Sequence, residues 1–267
     1  MPENNQEIAV NKGFSKIYEH YESLNNESII DQTMRQQVYA HIERFLKSNH
    51  SILELNSGSG IDAVYFAKKG YAVVATDIAD GSQNYIESKI EKLKLHNLSF
   101  KKSSFLNLDE LKKQHFDYVF SNFGGLNCTN ELEKVVESLN LILKKKAIIT
   151  FVIMGKYYPW DWIYIFKGNF KRAFIRFKKN NALANVEGEA VKTYYHSPKK
   201  IRSLFKKDFD YLKAESLGLF YPSVNHTSVT KHTNLVKKLI SFEKAMNQKK
   251  CVPAGIGDYY IITFKKK

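Results

Sequence analysis

The stretch Ser51-Ile-Leu-Glu-Leu-Asn-Ser-Gly-Ser-Gly-Ile-Asp-Ala-Val-Tyr-Phe-Ala-Lys-Lys-Gly-Tyr-Ala-Val-Val-Ala-Thr-Asp77 decides how this chain folds. Residues 52–55 are a short apolar run, 56–60 a glycine turn, 61–69 a helical segment and 71–76 a second apolar run closed by Asp77. A strand, a tight turn and a helix returning to a parallel strand make the opening unit of a doubly wound sheet. Gly58 and Gly60 carry no Cβ, so a ligand can approach the backbone closely. The helix behind them aims its free N–H groups into the same space. Asp77 stands at the carboxyl end of the neighbouring strand, where a carboxylate accepts the hydroxyls of a ribose. The pattern predicts a nucleoside pocket.

Two readings of that pocket compete. Gly58-Ser-Gly-Ile-Asp-Ala63 fits the G-x-G-x-x-A pattern of dinucleotide-binding oxidoreductases. Glu54-Leu-Asn-Ser-Gly-Ser-Gly60, with its acid at the strand end, resembles motif I of class I S-adenosylmethionine (SAM)-dependent methyltransferases; Asn56 stands where that motif has its first glycine. The resemblance implies SAM as cofactor, with Glu54, Asn56, Ser57, Gly58, Gly60, Asp77 and Ile78 around it. Phe120-Ser-Asn-Phe-Gly-Gly-Leu-Asn127 resembles the motif IV loop, which lies near the transferred methyl group, and so adds Asn122, Phe123 and Gly124. After the third strand the family often has an acid for the adenine amino group. Ser104 stands there instead, with Phe105 placed to lie against the base.

The chain before the first strand reads as two helices, over 13–24 and 29–46, after a polar start expected to be frayed. Phe14, Tyr18 and Tyr21 resemble the aromatic signature of the N-terminal lid in small-molecule methyltransferases, with Tyr18 and Arg35 as candidates for the methionine end of SAM. Beyond Asp77 the pattern predicts a helix over 83–95 and strands over 98–101, 116–121 and 146–154, with a helix over 131–143. It continues with a helix over 198–205, a strand over 211–219, a helix from about 233 and a closing strand over 257–264. The resulting expectation is one α/β domain spanning 1–267. The resemblance implies for it a Rossmann-like, seven-stranded, doubly wound sheet with an antiparallel last strand, an N-terminal lid over 13–48 and substrate-side inserts over 155–197 and 221–250. No separate catalytic region remains for an oxidoreductase, which favours SAM over NAD.

The formal charge of +14 is uneven: residues 141–213 hold 17 Lys and Arg against 5 Asp and Glu. Within that span, Pro159 to Lys179 spaces Trp160, Ile163, Tyr164, Phe170, Ala173, Phe174 and Phe177 near one helical face, with basic residues elsewhere and Gly168-Asn169 as a break between two pieces. It reads as a lid over a bulky acceptor, as an interfacial membrane contact, or as packing with a solvated basic face; the resemblance favours the lid, since inserts after this strand commonly cover the acceptor pocket in the family. Cys128 and Cys251 show no metal or pairing pattern, and no signal-peptide or membrane-span pattern appears, which together predict a cytoplasmic protein without a metal. The expected activity is methyl transfer to a small or lipid-like acceptor. A nucleic-acid methyltransferase, to which the basic segment points, and a non-catalytic SAM-binding protein are the alternatives. For a general base the candidates are His196, His226 and His232.

Overall fold

The computed structural model describes residues 5–178, 182–224, 226–248 and 252–267; for 18–27, 227, 228 and 248 it describes the backbone alone. In chain order the elements are α1 (Asn5–Glu27), α2 (Ile29–Glu43), β1 (Ser51–Leu55), α3 (Ile61–Lys68), β2 (Ala72–Asp77), α4 (Asp80–Leu93), β3 (Leu98–Lys102), β4 (Phe116–Ser121), α5 (Leu132–Ile142) and β5 (Leu143–Met154). Then follow α6 (Ile163–Phe166), α7 (Phe170–Ala173), β6 (Ala182–Val186), β7 (Glu189–Thr193), α8 (Pro198–Phe205), β8 (Phe209–Leu217), α9 (Thr227–Thr230), α10 (Thr233–Gln248) and β9 (Tyr259–Lys266). The main sheet has the order β3-β2-β1-β4-β5-β9-β8, and β9 runs antiparallel between β5 and β8. This is the seven-stranded sheet with an antiparallel last strand that the resemblance implies.

Side chains alternate across each strand, so one sheet carries two cores. Ile52, Tyr118 and Phe120 face a layer with Met34 and Val38 of α2, Phe66 of α3 and Ile240 of α10. Leu53, Leu55 and Val119 face the other layer, with Val135 and Leu139 of α5 and Phe205 of α8. Polar groups hold α2 to its layer. The His41 ring contacts Thr263 Oγ1 at 2.8 Å, Thr263 contacts Thr150 at 2.9 Å, and Tyr65 donates to Glu43 Oε1 at 2.8 Å. Ser28 caps α2 by accepting the Asp31 N–H at 3.1 Å.

The structure corrects the sequence reading at both ends of the cleft. Residues 5–11, expected to be frayed, form the first turns of α1 and are stitched down. Gln6 donates to Lys192 O at 2.9 Å, and the Asp80 N–H donates to Asn11 Oδ1 at 2.9 Å. Of the segment 159–179, expected to be amphipathic helix broken at Gly168-Asn169, the described residues 159–178 are a chain of 3-10 turns with α6 and α7 between them. Gly168 sits at φ +69° and ends α6, and Asn169 caps α7 by accepting the Arg172 N–H at 3.1 Å. The hairpin β6–β7 was not expected at all. Its two-residue turn, Glu187 at φ +49° and Gly188 at φ +88°, puts both central residues in the left-handed region, as a type I′ connection requires. The alternating Ala-Leu-Ala-Asn-Val before Glu-Gly is the signal that would have found it.

Candidate functional site

In the sheet order, the direction of strand addition reverses between β1 and β4, and ligands of open α/β sheets bind outside the carboxyl ends at such a point. A cavity of about 780 Å³ lies there. Its floor comes from the loops after β1, β2, β3, β4 and β5, through residues such as Ser57, Asp77, Ser104, Asn122 and Met154. The two N-terminal helices and the β6–β7 hairpin supply further wall, through Phe14, Met34, Val186 and Val191 among others.

The turn after β1 is built as the glycine spacing implies. Asn56 takes φ +48° and Gly58 φ +57°; asparagine tolerates the left-handed region, so it can stand where the motif has glycine. The Asn56 side chain also ties two loops together: Ser121 Oγ donates to its Oδ1 at 2.7 Å, and its Nδ2 donates to Asn122 O at 3.3 Å. A Cβ on Gly125 would stand 2.0 Å from Asn56 Nδ2, so the second loop needs its glycine. Gly60, at φ +76°, does not line the cavity; a Cβ there would meet Ile86 at 2.6 Å, so it lets α3 pack on α4.

Asp77 closes the turn from the other side. Gly58 N–H donates to its Oδ2 at 2.8 Å and Ala79 N–H to its Oδ1 at 2.9 Å. Burial raises its pKa, and these backbone donors hold it down. Each oxygen keeps a second lone pair, and Asp77 lines the cavity, so a ribose can still be accepted. Glu54 is 1% exposed and also lines the cavity, yet its Oε2 has no hydrogen-bond partner among the described residues. Burial pushes its carboxyl well above the usual range, Asp62 adds to this, and Arg35 opposes it. An orphaned buried carboxyl at a cavity wall suits a cationic ligand, which fits SAM.

Asp62, which sequence reasoning missed, is a hub. Its Oδ1 pairs with Arg35 and accepts from Tyr39 at 2.5 Å, while Asn122 donates to its Oδ2 at 2.9 Å. Arg35 also lies over the Phe123 ring at 4.6 Å, and Tyr259 meets that ring edge-on. These contacts hold Phe123 at φ +46°, a conformation that costs a bulky residue about 1–3 kcal/mol. Only its place in the first turn of α3 could have pointed to Asp62.

The other expected residues divide. Arg35, Ile78, Ser104, Phe105, Phe123 and Gly124 line the cavity, whereas the side chain of Tyr18 lies outside the described residues. Ser104 donates to Glu7 Oε1 at 2.6 Å, so α1 brings a carboxylate to the place where the resemblance lacked one. None of the three histidines lines the cavity. His196 is buried, with its ring against Thr129 O at 3.1 Å, and burial lowers its pKa to about 4. His226 packs among Tyr158, Trp160 and Tyr164, and His232 is exposed. Cys128 does line the cavity, where burial first and Asp77 second raise its thiol to about 12; Cys251 lies outside the described residues. No described residue from 156 to 178 reaches the cavity, so the expected lid there is not what encloses it. Among the described residues, no group of three or more His, Cys, Asp or Glu could hold a metal ion.

Residues 52–146, from β1 into β5, match the family model described as a methyltransferase domain. That stretch carries a methyltransferase domain, and SAM-dependent methyltransferases share the fold of the chain around it. SAM is the cofactor of this methyltransferase. No curated protein matches the chain. Solved structures share its fold at low identity. A Burkholderia thailandensis 1,6-didemethyltoxoflavin-N1-methyltransferase, with that compound and S-adenosylhomocysteine bound, is 14% identical with a TM-score of 0.59, over 100% of this chain and 92% of that one. A candidate sarcosine dimethylglycine methyltransferase from Galdieria sulphuraria is 17% identical with a TM-score of 0.56, over 90% and 86%. The [4+2]-cyclase SpnF is 12% identical with a TM-score of 0.63, over 96% and 94%. The methyltransferase thus shares its architecture with an enzyme of different chemistry, and its acceptor has to be argued from its own cavity.

Proposed function

We propose that this methyltransferase transfers the SAM methyl group to a small, largely apolar acceptor held under α1 and the β6–β7 hairpin. The observation that carries the reading is the enclosure. One cavity, within the roughly 300–1,000 Å³ typical of small-ligand sites, joins the motif I turn to walls of Phe14, Ile17, Met34, Val186 and Val191. The Burkholderia and Galdieria proteins, both named for small acceptors, support it by analogy. In this reading Asp77 accepts the ribose hydroxyls and Glu54 faces the cationic end. The Ser104–Glu7 pair meets the adenine amino group, with Phe105 against the base. SAM, when bound, supplies a methyl group that an acceptor lone pair attacks as the carbon–sulfur bond breaks. The protein's part is to hold acceptor and methyl in line and to keep water out.

A hydroxyl or amine acceptor also has to lose a proton. We assign that proton to Asp31 in the first turn of α2. It lines the cavity, burial raises its pKa, and it makes no ion pair among the described residues, unlike Asp62 with Arg35 and Asp258 with Arg176. Asp31→Asn should lower kcat by about a hundredfold or more while the dissociation constant of S-adenosylhomocysteine stays unchanged. The reading itself is tested by incubating the protein with methyl-labelled SAM and fractionated cell extract. Label is expected in low-mass, solvent-extractable material; label confined to RNA or protein would overturn it.

A further inference from the structure

We propose that residues 156–178 form a docking surface for an anionic lipid membrane. No residue of the segment lines the cavity, and the segment exposes a row of aromatic side chains. Phe166 is 91% exposed, Phe170 59%, Tyr157 49% and Phe174 48%. The Tyr157 and Phe177 rings meet at 5.4 Å, and Phe177 and Phe174 at 6.2 Å, so these three form one continuous patch. Soluble proteins seldom leave such rings in water without a partner.

The charges around the rings have one sign. Lys167, Lys171, Arg172 and Lys178 are exposed, and Arg172 and Lys167 both lie over Tyr164, at 4.4 and 5.6 Å. The only acid between 156 and 178 is Asp161, and it is taken up by the buried Arg176, whose Nε donates to its Oδ2 at 2.7 Å. Arg176 also donates to Gly155 O at 3.2 Å and to Asp258 O at 2.8 Å. One end of the insert is thereby rooted on the main sheet, while the rings and ammonium groups point outward. Apolar rings that enter the boundary between headgroups and acyl chains, ringed by basic groups that meet lipid phosphates, are the chemistry of an interfacial anchor. A single sign of charge opposes pairing with the same face of a second copy. Apart from Tyr157, the rings sit on or beside short helical turns, not on an open sheet face that would stack bases.

The insert also touches the cavity's rim. Trp160 donates to Leu219 O at 3.1 Å, Ser223 N–H donates to the Tyr158 hydroxyl at 2.6 Å, and Tyr164 packs on His226. Ser223 and the exposed Val224 line the cavity. Docking would set this rim beside the lipid, where an apolar acceptor resides; that consequence rests on the proposed function, whereas the docking itself does not.

The test is co-sedimentation of the full chain with phosphatidylcholine vesicles, with and without phosphatidylglycerol, across ionic strength. Binding to the anionic vesicles, falling with salt, is expected. Lys167→Glu with Lys171→Glu should weaken it by about tenfold or more, since each basic contact contributes about 1 kcal/mol at such a surface. Phe166→Ser with Phe170→Ser should weaken it on its own. All four side chains are exposed, so melting temperature and S-adenosylhomocysteine affinity should not move, and retention of both separates loss of docking from loss of fold or of cofactor site. Four outcomes would overturn the proposal: no sedimentation at low salt, equal binding to neutral vesicles, binding indifferent to both double variants, or binding only to single-stranded RNA or to a second copy of the chain.

Discussion

At the scale of single residues, Asp77 and Glu54, which we assign to the cofactor end of the site, differ in how they are held. Asp77 both faces the cavity and braces the turn through Gly58 and Ala79. Asp77→Ala should therefore weaken S-adenosylhomocysteine about ten- to hundredfold, the ratio for a charge-assisted bond of about 1.5–3 kcal/mol, and should also lower the melting temperature. Calorimetry beside a melting curve checks both; unchanged affinity would place the nucleoside elsewhere. Glu54 is distinguished by its proton. A carboxyl whose pKa is raised in the folded state stabilises the fold fully below the ordinary carboxylate range, and that stabilisation is lost as pH rises through the raised value. The ligand-free protein should lose stability over that window, and Glu54→Gln should flatten the fall. A bound cation draws the proton off, so titration in buffers of different ionisation enthalpy should show proton release by the natural protein and none by the variant.

At the scale of elements, α1 is the part whose placement matters most to the cavity. It lies across α4 and the β6–β7 hairpin at two close approaches: a Cβ on Gly13 would stand 2.8 Å from Val186 O, and one on Gly81 2.7 Å from Ser15 O. Neither glycine belongs to the two sheet cores. Gly13→Val should push α1 off the hairpin at a cost of about 1–3 kcal/mol, and so weaken S-adenosylhomocysteine about five- to hundredfold. Main-sheet stability should hardly change. Protease should cut α1 faster in the variant, and ligand should protect it less. If affinity holds, α1 is not the closing element.

At the scale of the whole molecule, cofactor binding and folding share one equilibrium, because the site is assembled from five strand ends and α1. At a hundredfold excess over its dissociation constant, S-adenosylhomocysteine should add about 2.7 kcal/mol. In a thermal melt that is about 5–10 °C, whereas NAD should add none. A shift with NAD alone would return the glycine turn to the dinucleotide reading. The parts legible in the sequence were those whose cause is local. Alternation and turn spacing from Ser51 to Asp77 dictate strand, turn, helix and strand, and they put Glu54 and Asp77 at strand ends and Gly58 in the turn whatever the rest of the chain does. Hairpin β6–β7 was local too, and was hidden only by the helical spacing of the aromatics before it. What tertiary structure alone decided joins residues far apart in the chain. Asp62 meets Arg35 and Asn122, Glu7 meets Ser104 across 97 positions, and Arg176 turns from a surface charge into a buried tie to Asp258. No periodicity encodes such pairs, because each exists only once the sheet has brought its two segments together. The cavity is walled by α1 and the hairpin, not by the aromatic insert, for the same reason: spacing shows that a face is apolar, and only packing shows what it faces.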